Sequence, residues 1–423
     1  MIVVGAGPAG SATALLLARE GLRVLLLDRL AFPRAKPCGD CLSAEATRTL
    51  DRLGLLGAVE AARPERLTGW QAFSPGGWSF RAAFEPAAGG DPRAATAIAL
   101  ARDRFDLALL EAARGAGATV CLEIHVTDLI RSAEGHVLGV RGRGPQGESR
   151  ELLARFVVGA DGLRSIVARR LGLTRRPPRV RKLSLTGHVH GVQGVDRTGE
   201  MHLIAGACAG LAPVGPVARG AGRRYNLTLV VYADRYRARE TDDTEAFYWS
   251  TLRRFPALAD RLAGATLAPA ANGGPPRLLA SGPFDWPMRY VVAPGAALVG
   301  DAAGYFDPFT GQGIYHALSG AEILAEELLP ALRRAGAAPP RLRRYARRLT
   351  RFRRGAHVLQ HALEHIVSRP ALADFAIRRL ARSPRTAEAL IATIGDLRPA
   401  ASLLRPGIAL DFALGPLRAE TGT

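Results

Sequence analysis

The chain has 423 residues, of which 48% are hydrophobic, four are cysteine, and 57 are basic against 38 acidic, a net charge of +19. Four cysteines make no disulfide scaffold, no run of about eighteen uncharged apolar residues is present to span a membrane, and the length calls for two or three subdomains. The charge does not point to nucleic acid: only Lys36 and Lys182 are lysine, so the arginine excess reads as codon bias, and the aromatic residues (6%) do not interleave with basic ones as a base-stacking surface requires.

Met1 runs directly into Ile2–Val4, an apolar strand rather than the start of a secretory signal, so a cytoplasmic protein is expected. Gly5, Gly7 and Gly10 then form G-x-G-x-x-G, with Pro8 and Ala9 inside it, ahead of a helix over 11–20 and a second strand over 24–27 closed by Asp28 and Arg29. Each residue type has a mechanical reason. Gly5 permits the tight turn, Gly7 lets backbone approach a pyrophosphate, and Gly10 allows close helix–strand packing. The helix N-terminus faces the phosphates, and Asp28 is placed to accept from a ribose hydroxyl.

Next comes "KPCGDC", with Cys38 and Cys41 in C-x-x-C spacing, which alone suits a redox disulfide, half a zinc site or neither. A helix follows Arg102 and a strand contains Val126. Gly142, Gly144 and Gly147 repeat the glycine spacing, but between two strand-like runs with no helix after them, so they predict a hairpin loop. A buried strand ends at Gly159, and Asp161-Gly162 turns into a helix carrying Ser165 and Arg169.

Segments over 182–192, 199–215 and 223–237 alternate like antiparallel strands, and a helix over 241–265 with Thr241 as N-cap covers them. The inner face of this sheet is expected to carry Leu203, Leu211, Val214, Leu227 and Leu229, which suits a lipophilic substrate. His188 and His190 share a strand face and, with His202, are the candidate acid–base groups; their spacing offers no third metal ligand. Farther on, a strand ends at Gly300-Asp301, and a loop leads to Gly311-Gln312-Gly313-Ile314 at the start of a long helix. A strand-end carboxylate binds polyol hydroxyls, and helix N-terminal amides stabilise negative charge. A reduced flavin and its ribityl chain need both features, so FAD is favoured over a nicotinamide as the resident dinucleotide.

Residues 331–423 carry 18 arginines against six acidic residues. From Arg341 to Arg354, Leu342, Tyr345, Leu349 and Phe352 form one apolar helical stripe among arginines. That pattern suits either an anionic membrane surface or packing on the rest of the protein with a solvated arginine face. Further helices, broken at Pro384, Pro399 and Pro406, are expected to the C-terminus.

The glycine motif, Asp161-Gly162 and Gly300-Asp301, in this order and approximate spacing, resemble the FAD-dependent oxidoreductases of the p-hydroxybenzoate hydroxylase fold. These are aromatic monooxygenases, flavin-dependent halogenases and geranylgeranyl reductases. "KPCGD" and "GDAAGYFDPFTGQGI" are most similar to the geranylgeranyl reductase-like branch. The resemblance implies an α/β fold: a discontinuous Rossmann-like FAD-binding domain (1–75, 98–172, 286–330), an antiparallel substrate sheet (76–97, 173–285) and a basic helical region (331–423). It implies cofactor contacts at Gly5, Gly7, Pro8, Ala9, Gly10, Asp28, Arg29, Cys38, Gly39, Arg102, Val126, Asp161, Gly162, Gly300, Asp301, Gly311, Gly313 and Ile314. Cys38 falls against the isoalloxazine and Cys41 is incidental, because flavin disulfide reductases use a wider cysteine spacing and a second dinucleotide domain.

The reaction expected is hydroxylation of a lipophilic aromatic or polyketide-like molecule, through oxygen added at flavin C4a, with NAD(P)H as donor. The alternative is reduction of isoprenoid double bonds. Hydroxylation is preferred because the Tyr/Phe-x-Trp-x-Phe-Pro tunnel motif of the reductases is reduced, at Ala205–Gly215, to its proline. The tryptophan motif of the halogenases is missing, and Lys182 sits in an unexpected place for their lysine.

Overall fold

The structure, a computed structural model, describes residues 1–84, 96–179, 182–215, 223–237, 239, 241–269, 274–333 and 342–414. A central sheet runs Val292–Ala293, Ala296–Leu298, Val157–Gly159, Ile2–Val4, Leu25–Leu27 and Thr119–Cys121. Its strands are parallel except at the Val292–Ala293 edge. These short runs are apolar without alternation, as strands covered on both faces must be. Helices Pro8–Arg19 and Gly313–Arg333 pack together, and Arg102–Gly115 packs on Pro8–Arg19. Pro8 occupies the first helical turn, where its missing N–H costs nothing.

The second glycine motif lies in the hairpin joining Val137–Arg143 to Ser149–Leu153, with Gly142 opposite Arg150. The substrate sheet has eight strands, among them Lys182–His190, Tyr225–Tyr232, Ala207–Pro213, Thr198–Ile204 and Gly69–Phe73. Gly69–Phe73 pairs in parallel with Thr198–Ile204, so this sheet begins before residue 76, earlier than the sequence reading set it.

Helix Thr244–Leu252 covers one face of the sheet, and the Tyr248 hydroxyl donates to the Leu227 carbonyl at 2.7 Å. Its cap is Asp243 rather than Thr241: the Asp243 carboxylate accepts from the Glu245 and Ala246 amides, while Thr241 only receives the Asp243 amide. Leu227 and Leu229 pack under this helix with Tyr248, on the face away from the flavin domain. Period-2 alternation therefore hands the other face to Asn226, Thr228 and Val230, correcting the expected inner face by one residue. Leu203 and Leu211 do line the cavity described below, and Val214 packs in a small cluster with Leu67, Ala97 and Ala99.

Helices Arg343–Val367, Pro370–Ala381, Pro384–Ile394 and Pro406–Leu414 close the other side of the cavity. Pro384 and Pro406 begin helices rather than only ending them. The apolar stripe is turned inward: Leu342, Tyr345 and Leu349 are 5%, 0% and 2% exposed. Phe352 packs on the Tyr315 and His316 rings of Gly313–Arg333. The stripe therefore has no free apolar face for a bilayer, which corrects the membrane reading of Leu342, Tyr345, Leu349 and Phe352. Arg341 lies outside the described residues.

Candidate active site

The glycine turn is a cradle that side chains would fill. A Cβ on Gly10 would meet the Gly5 carbonyl oxygen at 1.8 Å, and one on Gly5, at φ +99°, would meet the Ala160 carbonyl at 2.5 Å. Asp28 accepts from the Ala6 amide at 2.8 Å and the Leu30 amide at 3.0 Å, which fixes its carboxylate at the strand end. Arg34 lies 3.6 Å from Asp28 and 3.2 Å from Asp106, and Arg102 grips Asp106 through two bonds of 2.7 and 2.8 Å. Arg34 Nε is buried without a partner. Across the cleft, Lys36 reaches to 3.9 Å from Asp301. Apposed glycines, fixed carboxylates and guanidinium donors suit a dinucleotide carrying a pyrophosphate and polyols.

The loop after Gly300 is clamped from the C-terminal helices. Arg353, 4% exposed, donates to the carbonyls of Gly300, Ala303 and Gly304 at 2.9, 3.0 and 3.1 Å. Tyr345 donates to the Leu298 carbonyl at 2.6 Å. Lys182 pairs with Asp307 at 3.2 Å and with Glu364, which also accepts from Tyr232. Burial opposes the ammonium, but the two carboxylates outweigh it and raise its pKa. Asp396 receives Gln312 of the loop and Ser43 beyond the cysteines, and burial pushes its carboxyl well above the ordinary range.

A single cavity of about 680 Å³ joins this cleft to the substrate sheet. Gly7, Ala9, Gly162, Asp301 and Gly311 line its cofactor end; Phe80, Phe284, Phe309, Leu363, Ile377 and Phe412 are among the apolar side chains beyond. Cys38 stands between the two parts, half-buried because it faces the cavity. Burial raises its pKa against the nearby Arg102 charge, so the thiol stays protonated at neutral pH. Behind it runs a polar row. Asn226 donates to the Cys38 carbonyl at 2.7 Å and to Asp40 at 2.8 Å, Thr228 donates to Asn226 at 2.8 Å, and Thr186 lies 3.0 Å from Thr228.

Residues 1–259 match the sequence family described as FAD binding domain. The chain belongs to the FAD-dependent oxidoreductases of the p-hydroxybenzoate hydroxylase type. It is 28% identical over 337 residues to a menaquinone reductase of Mycolicibacterium smegmatis, covering 77% of this chain and 75% of that one. It is 28% identical over 358 residues to digeranylgeranylglycerophospholipid reductase 1 of Methanococcoides burtonii, covering 82% and 78%. The myxobacterial chondrochloren halogenase CndH shares the fold, with a TM-score of 0.76 at 24% identity over 99% of this chain and 93% of that one.

In this FAD-dependent oxidoreductase the structure brings together, on one cavity, Gly7, Pro8, Ala9, Cys38, Gly39, Arg102, Gly162, Asp301, Gly311, Gly313 and Ile314. Gly5, Gly10 and Asp28 shape the turn behind them. Gly300, at φ +63°, packs against Ala9, where a Cβ would come within 2.7 Å. Arg29 is exposed beside Asp28, and Val126 is a core residue paired with Gly142. Asp161 turns away from the cleft: it accepts from Ser165 and the Ile166 amide, capping the helix Ile166–Arg170 and leaving Gly162 to face the cavity.

The histidines part company. His188 Nε2 meets Asp40 at 2.6 Å, His190 meets the Arg223 carbonyl, and His202 is buried against Glu200 and stacked on Phe73. All four cysteines are free thiols. Sequence reasoning missed Asp40, Asn226, Arg353 and Asp396, and named Lys182 and Tyr345 without placing them beside the cleft. For Arg353 the signal was present: Tyr345, Leu349 and Arg353 recur every four residues, so the arginine shares the buried stripe.

Proposed function

We propose that the chain reduces carbon–carbon double bonds of a lipophilic, chain-like molecule. The observation that carries this is the continuous apolar cavity running from the cofactor cleft, past Cys38, to the C-terminal helices. The sequence argument for hydroxylation was the missing tunnel motif. An apolar cavity lined by Phe80, Phe284, Phe309 and the helical residues Leu363 and Ile377 nevertheless supports the reductase reading. Names of two relatives point the same way, since they describe reductases.

Bound FAD, once reduced, supplies a hydride. This chain's residues do the rest. Gly5, Gly7 and Asp28 hold the dinucleotide end, Arg353 fixes the carbonyls of the flavin loop, and the apolar walls exclude water. Cys38 keeps a proton on Sγ at the cavity wall, where an alkene needs one to complete its reduction. A nicotinamide donor and a cytoplasmic setting are part of this proposal, with any membrane contact left to the exposed arginines Arg347, Arg351 and Arg354 of the C-terminal helix.

Hydroxylation is the second reading, favoured by the reduced motif at Ala205–Gly215. Halogenation is disfavoured because Lys182 is held by Asp307 and Glu364 and Lys36 lies beside Asp301, in the cofactor cleft. One experiment separates the readings. Protein reconstituted with FAD is reduced anaerobically by NADH or NADPH and mixed with polyprenyl alcohols. Reoxidation without oxygen, with a product two hydrogens heavier, is expected. Reoxidation only with oxygen, with an oxygen atom gained, moves the assignment to hydroxylation.

A further inference from the structure

The polar row behind Cys38 has a direction. The Asn226 side-chain nitrogen donates to the Cys38 backbone carbonyl at 2.7 Å and to the Asp40 carboxylate at 2.8 Å. A backbone carbonyl has no proton to give, so the amino end of the Asn226 amide must face it, and the amide oxygen is turned the other way. The Thr228 hydroxyl donates to that oxygen at 2.8 Å. A hydroxyl carries a single proton, so the 3.0 Å contact between Thr228 and Thr186 has one arrangement left: Thr186 donates and Thr228 accepts. From Thr186 to Asn226 each proton is handed toward Cys38 and Asp40.

These side chains stand where a ligand meets them. In the ladder Thr186 lies opposite Thr228, with His188 opposite Asn226 on one side and Ser184 opposite Val230 on the other. Asn226, Thr228 and Thr186 all line the cavity. Thr228 is only half-buried, although its strand runs inside the sheet between Lys182–His190 and Ala207–Pro213 and the opposite face packs under helix Thr244–Leu252. Its accessible surface therefore opens on the cavity. With their protons already given, Thr228 and Thr186 keep only lone pairs to offer. A ligand oxygen that can only accept finds no proton at this pair, whereas an O–H finds an oxygen to donate to. Apolar walls keep water from blurring that difference.

We propose that the Thr186–Thr228 pair is a subsite for a hydroxyl group, so that the lipophilic molecule drawn into the cavity is an alcohol rather than a carbonyl compound or an ether. This rests on the reading of the cavity as the substrate site, and deepens it by naming the polar group of the molecule. The hydroxyl is held on the Cys38 side of the cavity, because Asn226 joins Thr228 to the Cys38 carbonyl.

The test uses FAD-loaded protein titrated with 1-decanol, decyl methyl ether and 2-decanone, followed by melting temperature and by the flavin absorbance difference. The three share a chain, but only decanol has a proton to donate. Decanol is expected to bind about 3- to 10-fold more tightly than the other two, the span of one neutral hydrogen bond. Thr186→Val leaves the Thr228 oxygen as an acceptor and is expected to keep part of that advantage. Thr228→Val frees the Thr186 proton, so the ketone should draw level with the alcohol. Equal affinity for all three ligands in the unaltered protein, or a tighter ketone, overturns the proposal while leaving the lipophilic cavity standing. Failure of all three to bind removes the cavity reading and the subsite with it. An alcohol preference that survives Thr228→Val in full places the hydroxyl elsewhere, at Ser184 for example, and also overturns the proposal. The unaltered protein alone decides the first two of these outcomes, so poor folding of a variant does not blunt the test.

Discussion

Cys38 and Cys41 differ in sequence by position alone, and the structure separates them by contact. The Cys38 carbonyl is held by Asn226 and its thiol lies in reach of the Arg102 guanidinium, whereas Cys41 sits in a short strand paired with Ala99. Cys41→Ser is expected to retain FAD and turnover, while Cys38→Ala shifts the flavin absorbance and slows turnover by about 10²-fold or more, the scale of a lost positioned acid. Equal and complete loss in both variants would restore a disulfide role. Arg353 makes a different kind of prediction. Replacing it by methionine leaves the Gly300, Ala303 and Gly304 carbonyls without their donor, and about 2–4 kcal/mol of stability should be lost in urea unfolding, with FAD content falling in parallel.

At the scale of elements, the helix Arg343–Val367 is where the sequence was half legible. The 3.6-residue period announced an apolar stripe, and the stripe is there. What it covers was not readable, because a period names a face and not its partner. Arg344 and Arg348 pair with Glu326 and Glu327 of the preceding helix, so part of the local basic excess is matched across the contact.

The same contact carries a pH dependence. His316 lies under this helix against Phe352; burial first, and then the charge of Arg353, lower its pKa well below 6.5. The folded state therefore keeps the ring neutral while the unfolded chain binds a proton, and stability falls as pH drops below about 6.5. Urea midpoints taken from pH 7.5 to 5 should decline in the unaltered protein and decline less in His316→Gln; identical slopes would place the effect elsewhere. The helix Pro370–Ala381 contributes Ala376 to the cavity wall. Ala376→Phe is expected to weaken binding of long alcohols while sparing short ones and leaving FAD content unchanged, as a thermal-shift series in chain length would show.

For the molecule as a whole, the cofactor half could be read and the substrate half only in outline. Gly5 to Asp28 form one contiguous stretch, with the glycines dictated by backbone sterics and Asp28 by hydrogen bonding, and the hairpin at Gly142–Gly147 declared itself by lacking a helix. The substrate sheet was expected, but the inward face of its Tyr225–Tyr232 strand was assigned one residue out. Leucines at 227 and 229 look like the natural lining for a lipophilic site, yet they are needed beneath Tyr248. Contacts that unite distant segments, such as Lys182 with Asp307 and Glu364, or Asp396 with Gln312 and Ser43, leave no local pattern at all.

The Arg353 clamp also sets an order of events. The strand that leads into the glycine turn, Ile2–Val4, is flanked by Leu25–Leu27 and Val157–Gly159, with Ala296–Leu298 next in the sheet, and the cation that ties down the loop after Gly300 is made later still. A chain emerging from the ribosome thus presents its nucleotide turn first and completes the flavin end only after the Arg343–Val367 helix has appeared. Nascent chains halted before residue 343 should be unable to retain FAD, and those halted beyond residue 396 should retain it. The segment that sequence alone would set apart as an arm is then the last piece needed to make the protein a flavoprotein.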